Sequence, residues 1–511
     1  MKTYLLYPDK DLDLSAPNCW NADDLVQDLA LETLFHAMGE RDKYLIEIAQ
    51  KVILGAGVLE PSEILYRQDV LKDCMEHAGT VKELYELAVD AIECPKTIYL
   101  GFFFRYPDAV LRHGIDLLHL LVVRMKKLKA IADAQGGRFR SAGFRRMLAS
   151  VQAELDPEYI ASIERHLERL EFRDGLLMSA RLGEGNRGEE YILRSVSPKK
   201  KTWLQKLFGE KPSRYSFEIS DRDESGARIL SQLKDFGRNG VANAVAQSTD
   251  HILSFFSQLR AELGFYLGCL NLRDQLALLN EPTCFPDPVR QQDRKHAVKG
   301  LYDPSLALRL RQRVVGNDLA GDGRQTVIIT GANQGGKSTF LRSIGIAQLM
   351  MECGMFVPAE SFCANVSSGI ITHHSREEDA SMNSGKFDEE LQRMSLAVDH
   401  MRSNALVLFN ESFAATNERE GSETARQIVQ ALMDRCIKVF FVTHLYEFAS
   451  GFFRCNNPGV LFLRAERDND GQRSYKIAEG EPGMTSYGED LYDQIFSVEK
   501  GKALQGGGTL H

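Results

Sequence analysis

Apolar residues recur at steps of three and four through residues 24–53, 63–91 and 108–131, the spacing of helices that bury one face. Strand-like runs are scarce there, so residues 1–175 are expected to form a helical domain. The pattern changes at residue 176. Leu176 to Leu182, a glycine-rich turn from Gly183 to Gly188, Tyr191-Ile192-Leu193 and Tyr215 to Ile219 read as short strands, a small β-rich insertion over residues 176–222. A long helix is then expected from Ala227 to Leu279, on a stripe that includes Phe255, Phe256, Leu259, Leu263, Tyr266 and Leu270. Pro282, Pro286 and Pro288 end it, which sets apart a region at 223–290.

Beyond residue 290 short apolar runs alternate with helical segments. Thr326 to Thr330, Ala405 to Phe409, Lys438 to Thr443 and Val460 to Arg464 read as buried strands. Helices are expected between them at Lys337 to Cys353, Lys386 to Met401 and Gly421 to Arg435. Residues 291–511 are therefore expected to be an α/β domain with a largely parallel sheet, preceded by a mostly α-helical part with its β-rich insertion.

Composition adds limits. Charged residues make up 26% of the 511 and hydrophobic ones 43%, which excludes a disordered or fibrous chain. The net charge of -9 argues against a surface that is basic all over, while leaving room for local basic patches. Nine Cys occur without a CxxC pair or zinc-like spacing, so reduced thiols and a cytoplasmic location are expected, without structural metal. No run is long and apolar enough to span a membrane.

The strand Thr326 to Thr330 runs into Gly331-Ala332-Asn333-Gln334-Gly335-Gly336-Lys337-Ser338-Thr339, which satisfies GxxxxGK[ST] in its required setting between a strand and an amphipathic helix. Glycines let backbone N–H groups curl round phosphate oxygens, and the helix N-terminus adds its positive end. Lys337 is placed to bridge the β and γ phosphates of ATP, and the Ser338 hydroxyl to ligate Mg²⁺. A later buried strand ends in Asn410-Glu411, where a phosphate-loop protein keeps its metal-organising carboxylate and its water-activating acid. Asn410 lacks the charge of Asp, so weaker Mg²⁺ retention or hydrolysis is expected. Glu411 is intact as the group that orients or deprotonates water. His444, directly after the strand ending at Thr443, is the third candidate, at the sheet's carboxyl edge.

Taken in order, Thr330 to Thr339, Gly354-Met355-Phe356-Val357-Pro358-Ala359, Asn410-Glu411 with Thr416 and Gly421, Thr443-His444 and Ser486-Tyr487-Gly488 resemble the ATPase domain of the MutS family, over roughly residues 300 to 490. The resemblance implies an ABC-like P-loop ATPase domain at 291–511. It also implies a lever helix within 223–290, a core domain at 1–175, and a clamp position for the insertion at 176–222. Because the chain begins near the core domain and only about 20 residues follow Gly488, neither a mismatch-reading domain nor a nuclease-like tail is expected. The family pairs its ATPase domains, each closing the other's nucleotide site, so a homodimer is implied. The matching segment is Glu378 to Phe387; Gly385 stands where MutS carries Ser, which leaves Ser384 as the candidate for the trans contact. Ala332 likewise replaces a Pro.

DNA, duplex or branched, is the implied partner, together with repair or recombination proteins. Two basic stretches are candidates for it. One holds Arg124, Lys126, Lys127, Lys129, Arg138, Arg140, Arg145 and Arg146 against the single acid Asp133; the other holds Lys199, Lys200, Lys201, Trp203 and Lys206. The expected function is an ATP-switched, DNA-engaging clamp of mismatch repair or recombination. The alternative is a nucleotide-dependent protein scaffold with weak or no hydrolysis and no direct DNA binding.

Overall fold

The computed structural model describes residues 1–55, 57, 59–97, 107–172, 177–186, 188–194, 218–220, 222–376, 385–467 and 473–483. By packing, the chain divides into two compact units. One comprises Met1–Tyr4 and Gly79–Leu263, the other Leu5–Ala78 and Gly264–His511.

The first unit is mainly helical, with long helices at Ala78–Thr97 and Pro107–Gln135 and shorter ones at Ala142–Glu154 and Pro157–Leu170. Ser141 and Asp156 start the last two by accepting a backbone N–H two or three residues on. The strands β1 (Met178–Leu182) and β2 (Gly188–Leu193) pair antiparallel. The third expected strand falls largely outside the described residues. The helix Glu224–Leu278 runs unbroken through the chain position that separates the units.

The second unit holds two sheets. Its ten strands among the described residues are β3 (Asp287–Val289), β4 (His296–Leu301), β5 (Asn317–Ala320), β6 (Thr326–Thr330), β7 (Ser361–Asn365), β8 (Ile370–His374), β9 (Leu406–Asn410), β10 (Lys438–Val442), β11 (Val460–Arg467) and β12 (Arg473–Glu479). The larger sheet has the order β12-β11-β6-β10-β9-β8, parallel throughout except for β12. Every residue of β6 and β10 is buried, as expected for central parallel strands covered on both faces. On one face Val407, Phe409, Val439 and Phe441 pack with Ala425, Val429 and Leu432 of the helix Glu418–Asp434 and with Phe448 and Phe452 of Tyr446–Arg454. On the other lies the helix Lys337–Glu352, whose Gly345 approaches so closely that an added Cβ would stand 2.7 Å from both Leu408 and Leu29.

The smaller sheet, β3-β7-β4-β5, is not marked in the sequence by apolar runs, because its strands are short and alternate in burial. It is tied to the larger one through Asn317 of β5, whose side chain donates to the Tyr475 carbonyl and accepts from the Ile477 amide of β12. Leu29 also shows where the first helices go: Ala22–Asp28, Leu31–Gly39, Lys43–Ile53 and Pro61–Glu76 belong to the unit that holds these sheets. The single helical pattern over residues 24–53 is broken twice, at Ala30 and Glu40, each with φ of 52°.

Candidate nucleotide site

The turn between β6 and the helix Lys337–Glu352 needs backbone angles that side chains resist. Gly331 has φ of 121° and Gly336 φ of 92°; a Cβ on Gly331 would stand 2.9 Å from the Ala465 amide nitrogen of β11. Glycine is therefore required by conformation at both positions and by space at Gly331. The loop so formed leaves the helix N-terminus facing the carboxyl end of the sheet, where anions are favoured.

Lys337 is 4% exposed, and its Nζ donates to the carbonyl oxygens of Gly331 at 2.8 Å and Ala332 at 3.0 Å. Burial pulls its ammonium below the ordinary lysine value, while the Glu411 carboxylate opposes that shift. Ser338 Oγ donates to Asn410 Oδ1 at 2.8 Å, joining the start of the helix to the end of β9. Glu411 follows with φ of 54°, its amide donating to the Val442 carbonyl at 2.9 Å.

Lys337, Ser338 and Glu411 share a cavity of about 500 Å³. Gln334, Gly336, Lys337, Ser338, Thr339 and Glu411 line one part, and Tyr302, Leu306, Leu310, Val314, Val315 and Tyr475 another. One part is thus a polar, amide-rich cradle and the other is largely apolar, with Asp303, Gln312, Arg313 and Asn317 also in the lining. The Tyr302 hydroxyl is buried there without a hydrogen-bond partner among the described residues, and burial raises its pKa. None of the apolar lining was singled out from the sequence, since Tyr302 to Val315 and Tyr475 lie in separate segments without a phosphate-loop signature.

The other sequence candidates fall as follows. Gly331, Ala332, Asn333, Gln334, Gly335, Gly336, Lys337, Ser338 and Thr339 form the loop and helix start, and Asn410 and Glu411 come to it across the sheet. His444 lies exposed just beyond β10 and is not among the cavity residues. Gly385, also exposed, caps the helix Lys386–His400 with an extended backbone. Ser384, Lys199, Lys200, Lys201, Trp203, Lys206 and Ser486-Tyr487-Gly488 lie outside the described residues. In the other basic stretch Arg124 pairs with Asp90 at 3.0 Å, Lys126 with Glu164 at 2.6 Å and Lys129 with Asp133 at 2.7 Å. A cation already paired gives up that pairing before it neutralises a phosphate.

A strand that feeds a glycine-rich loop, a buried lysine at the following helix start, and a parallel strand that brings Asn-Glu to the same mouth define a P-loop nucleotide-binding fold. Residues 60–279 match the family model of the MutS2 N-terminal domain, and residues 327–493 match that of MutS domain V. The chain is 26% identical to endonuclease MutS2 of Geobacillus thermodenitrificans over 396 residues, 71% of this chain and 50% of that protein. It is 34% identical over 206 residues to DNA mismatch repair protein MutS of Thermotoga maritima, 38% of this chain and 26% of that one. To the mismatch repair protein MutS of Lactobacillus delbrueckii subsp. bulgaricus it is 31% identical over 232 residues, 43% of this chain and 27% of the relative. The chain belongs to the MutS family. It spans half the length of the MutS2 relative and about a quarter of the two MutS proteins. No helix among the described residues is long and apolar enough to cross a membrane.

Proposed function

We propose that this protein is a MutS-like ATPase that couples ATP binding and hydrolysis to the engagement of DNA. The observation that carries the reading is the presence of Lys337, Ser338 and Glu411 on one cavity, with Asn410 joined to Ser338 by a hydrogen bond. Hydroxyl and amide oxygens are hard ligands that suit Mg²⁺ directly or through water, so Ser338 and Asn410 would hold it. The metal would supply neutralisation of phosphate charge.

The chain's own groups do the rest. Main-chain N–H groups of Gly331 to Gly336 and the helix N-terminus bind the triphosphate. Lys337 leaves its two carbonyl partners for phosphate oxygens; a buried cation gains most from such an anion, because burial weakens its solvation. Glu411 orients the attacking water and accepts its proton, with His444 as a second contributor at the sheet edge. The partner's Ser384 and Gly385 segment would close the site in a homodimer. In the domain reading, residues 1–175, 176–222, 223–290 and 291–511 are core, clamp, lever and ATPase, and the lysines and Trp203 at 199–206 engage DNA. The weak metal ligand Asn410 also favours slow hydrolysis, which is the feature of the scaffold reading.

The test is ATP hydrolysis with and without duplex, mismatched and four-way-junction DNA, at low and physiological salt. Stimulation by one DNA form, lost steeply as salt rises, is the expected result. Nucleotide-dependent self-association with no affinity for any DNA at low salt would overturn it and leave the scaffold. Within the same assay, Glu411→Gln is expected to keep ATP binding and to lose hydrolysis by about a hundredfold or more.

A further inference from the structure

Residues 411–413 carry backbone that their side chains disfavour. Glu411 has φ of 54° and Phe413 φ of 65°, in the left-handed region, on either side of Ser412. Two such non-glycine residues are strained and persist only where the surroundings hold them. Four contacts do so, from parts of the chain far from this loop in sequence. Ser412 is fully buried, and its hydroxyl oxygen lies 2.6 Å from the His373 carbonyl oxygen and 2.8 Å from His373 Nδ1. The other ring nitrogen of His373 stands 3.0 Å from the Glu390 carbonyl oxygen. Glu390 Oε2 accepts the Phe413 amide at 2.7 Å. The Phe413 ring stacks on His373, with centroids 5.3 Å apart and planes 21° from parallel.

The assembly is closely packed. His373 and Glu390 are each 2% exposed, and Glu390 Oε1 has no hydrogen-bond partner among the described residues. A carboxylate so deeply buried is justified chiefly by the amide it holds, the N–H two residues beyond Glu411. Nothing in the trio reaches the cavity, whose lining includes Glu411 and none of these three.

We propose that Glu390, His373 and Ser412 are positioning residues for Glu411. They clamp the strained turn that follows β9 so that the Glu411 carboxylate faces the nucleotide cavity. The proposal rests on the ATPase reading above and adds to it the residues that fix the geometry of its water-activating acid. Glu390 lies five residues into the helix that Gly385 caps, so the clamp also ties the orientation of Glu411 to the placement of that helix.

The experiment compares Glu390→Ala, Glu390→Gln and Ser412→Ala with the parent and with Glu411→Gln, in the full chain. It reads single-turnover ATP hydrolysis, the Kd for a non-hydrolysable fluorescent ATP analogue, and the thermal midpoint. Glu390→Ala and Ser412→Ala are expected to slow hydrolysis by about ten- to a hundredfold, the size of a small misplacement of a catalytic group. The analogue's Kd should stay within about twofold, since the phosphate loop is untouched. Glu390→Gln should recover most of the rate, because its amide oxygen still accepts from the Phe413 N–H. Ser412→Ala removes one hydroxyl and serves if Glu390→Ala unfolds. Parental turnover in Glu390→Ala or Ser412→Ala beside an inactive Glu411→Gln overturns the positioning alone. So does a Glu390→Gln no better than Glu390→Ala. A parent that binds ATP without hydrolysing it overturns the ATPase reading and the clamp together.

Discussion

The phosphate loop at residues 331–336 is shaped by its own residues, whereas the turn at 411–413 is shaped by residues that stand some twenty to forty positions away. In the first, glycines occupy two of the three positive-φ positions, Gly331 and Gly336, where no Cβ opposes the turn, and only Gln334, with φ of 60°, carries a side chain there. In the second, Glu411 and Phe413 take positive φ with full side chains, held by His373, Glu390 and the packing of Phe413. One loop thus takes most of its turn on glycine, leaves a single side chain at positive φ, and can be transferred as a motif. The other stores strain and depends on its scaffold.

The comparison breaks most sharply at Lys337. Lys337→Ala removes the only cation among the P-loop residues themselves, so nucleotide affinity should fall by roughly a hundredfold or more. Equilibrium binding of a fluorescent ATP analogue reads it. Unchanged affinity would remove the phosphate loop from the function altogether.

This contrast also explains what the sequence revealed. The phosphate loop, the helix Lys337–Glu352, Asn410-Glu411 and the buried strands β6, β9 and β10 were legible because each is written in adjacent residues with a fixed spacing. The clamp was not, since His373 and Glu390 have no signature of their own. They meet Ser412 only because β8 lies beside β9 and the helix Lys386–His400 follows β8 in the chain. The apolar end of the cavity was hidden for the same reason: Tyr302, Val314 and Tyr475 come from separate strands and loops. The first helices misled in a different way. Their 3.6-residue pattern continues across Ala30 and Glu40, where the backbone turns, because periodicity records burial and not the break between two helices buried on the same side.

Next in size is a steric test of the strained turn. A Cβ on Gly421 would stand 2.3 Å from the Phe413 carbonyl oxygen, a backbone atom with little freedom to give way. Gly421→Ala should therefore cost about 1–3 kcal/mol in urea unfolding and slow hydrolysis, while the nucleotide Kd stays near parental. A variant with parental turnover would show that the turn at 413 can move without disturbing Glu411.

The clamp also predicts an acid sensitivity that the phosphate loop lacks. Burial holds His373 and its neighbour His374 at pKa values of about 4, below the ordinary 6.5, with Arg393 adding to the depression. Between those values the unfolded chain binds protons that the folded one refuses. The stability these two histidines lend is complete above pH 6.5 and is lost as pH falls toward 4. The loss is on the order of 3 kcal/mol for each at the acid limit. Urea midpoints measured from pH 7 to 4 should fall across that window, and less steeply in His374→Asn. A flat profile would mean that both rings accept their protons without cost.

The smallest effect is expected where the two loops touch, at the 2.8 Å bond from Ser338 Oγ to Asn410 Oδ1. In Asn410→Asp a carboxylate oxygen takes the same place and accepts the same hydroxyl, so neither loop has reason to move. What changes is charge: an anion there attracts a divalent cation that an amide holds only through its dipole. The Mg²⁺ concentration needed for half-maximal hydrolysis should fall by about tenfold, roughly 1.4 kcal/mol. At saturating Mg²⁺ the rate should return to the parental value, because Glu411 and its clamp are unaltered. A rate that stays several-fold higher at saturation would instead assign Asn410 a part in the chemical step, and the division between a loop that binds and a loop that reacts would no longer hold.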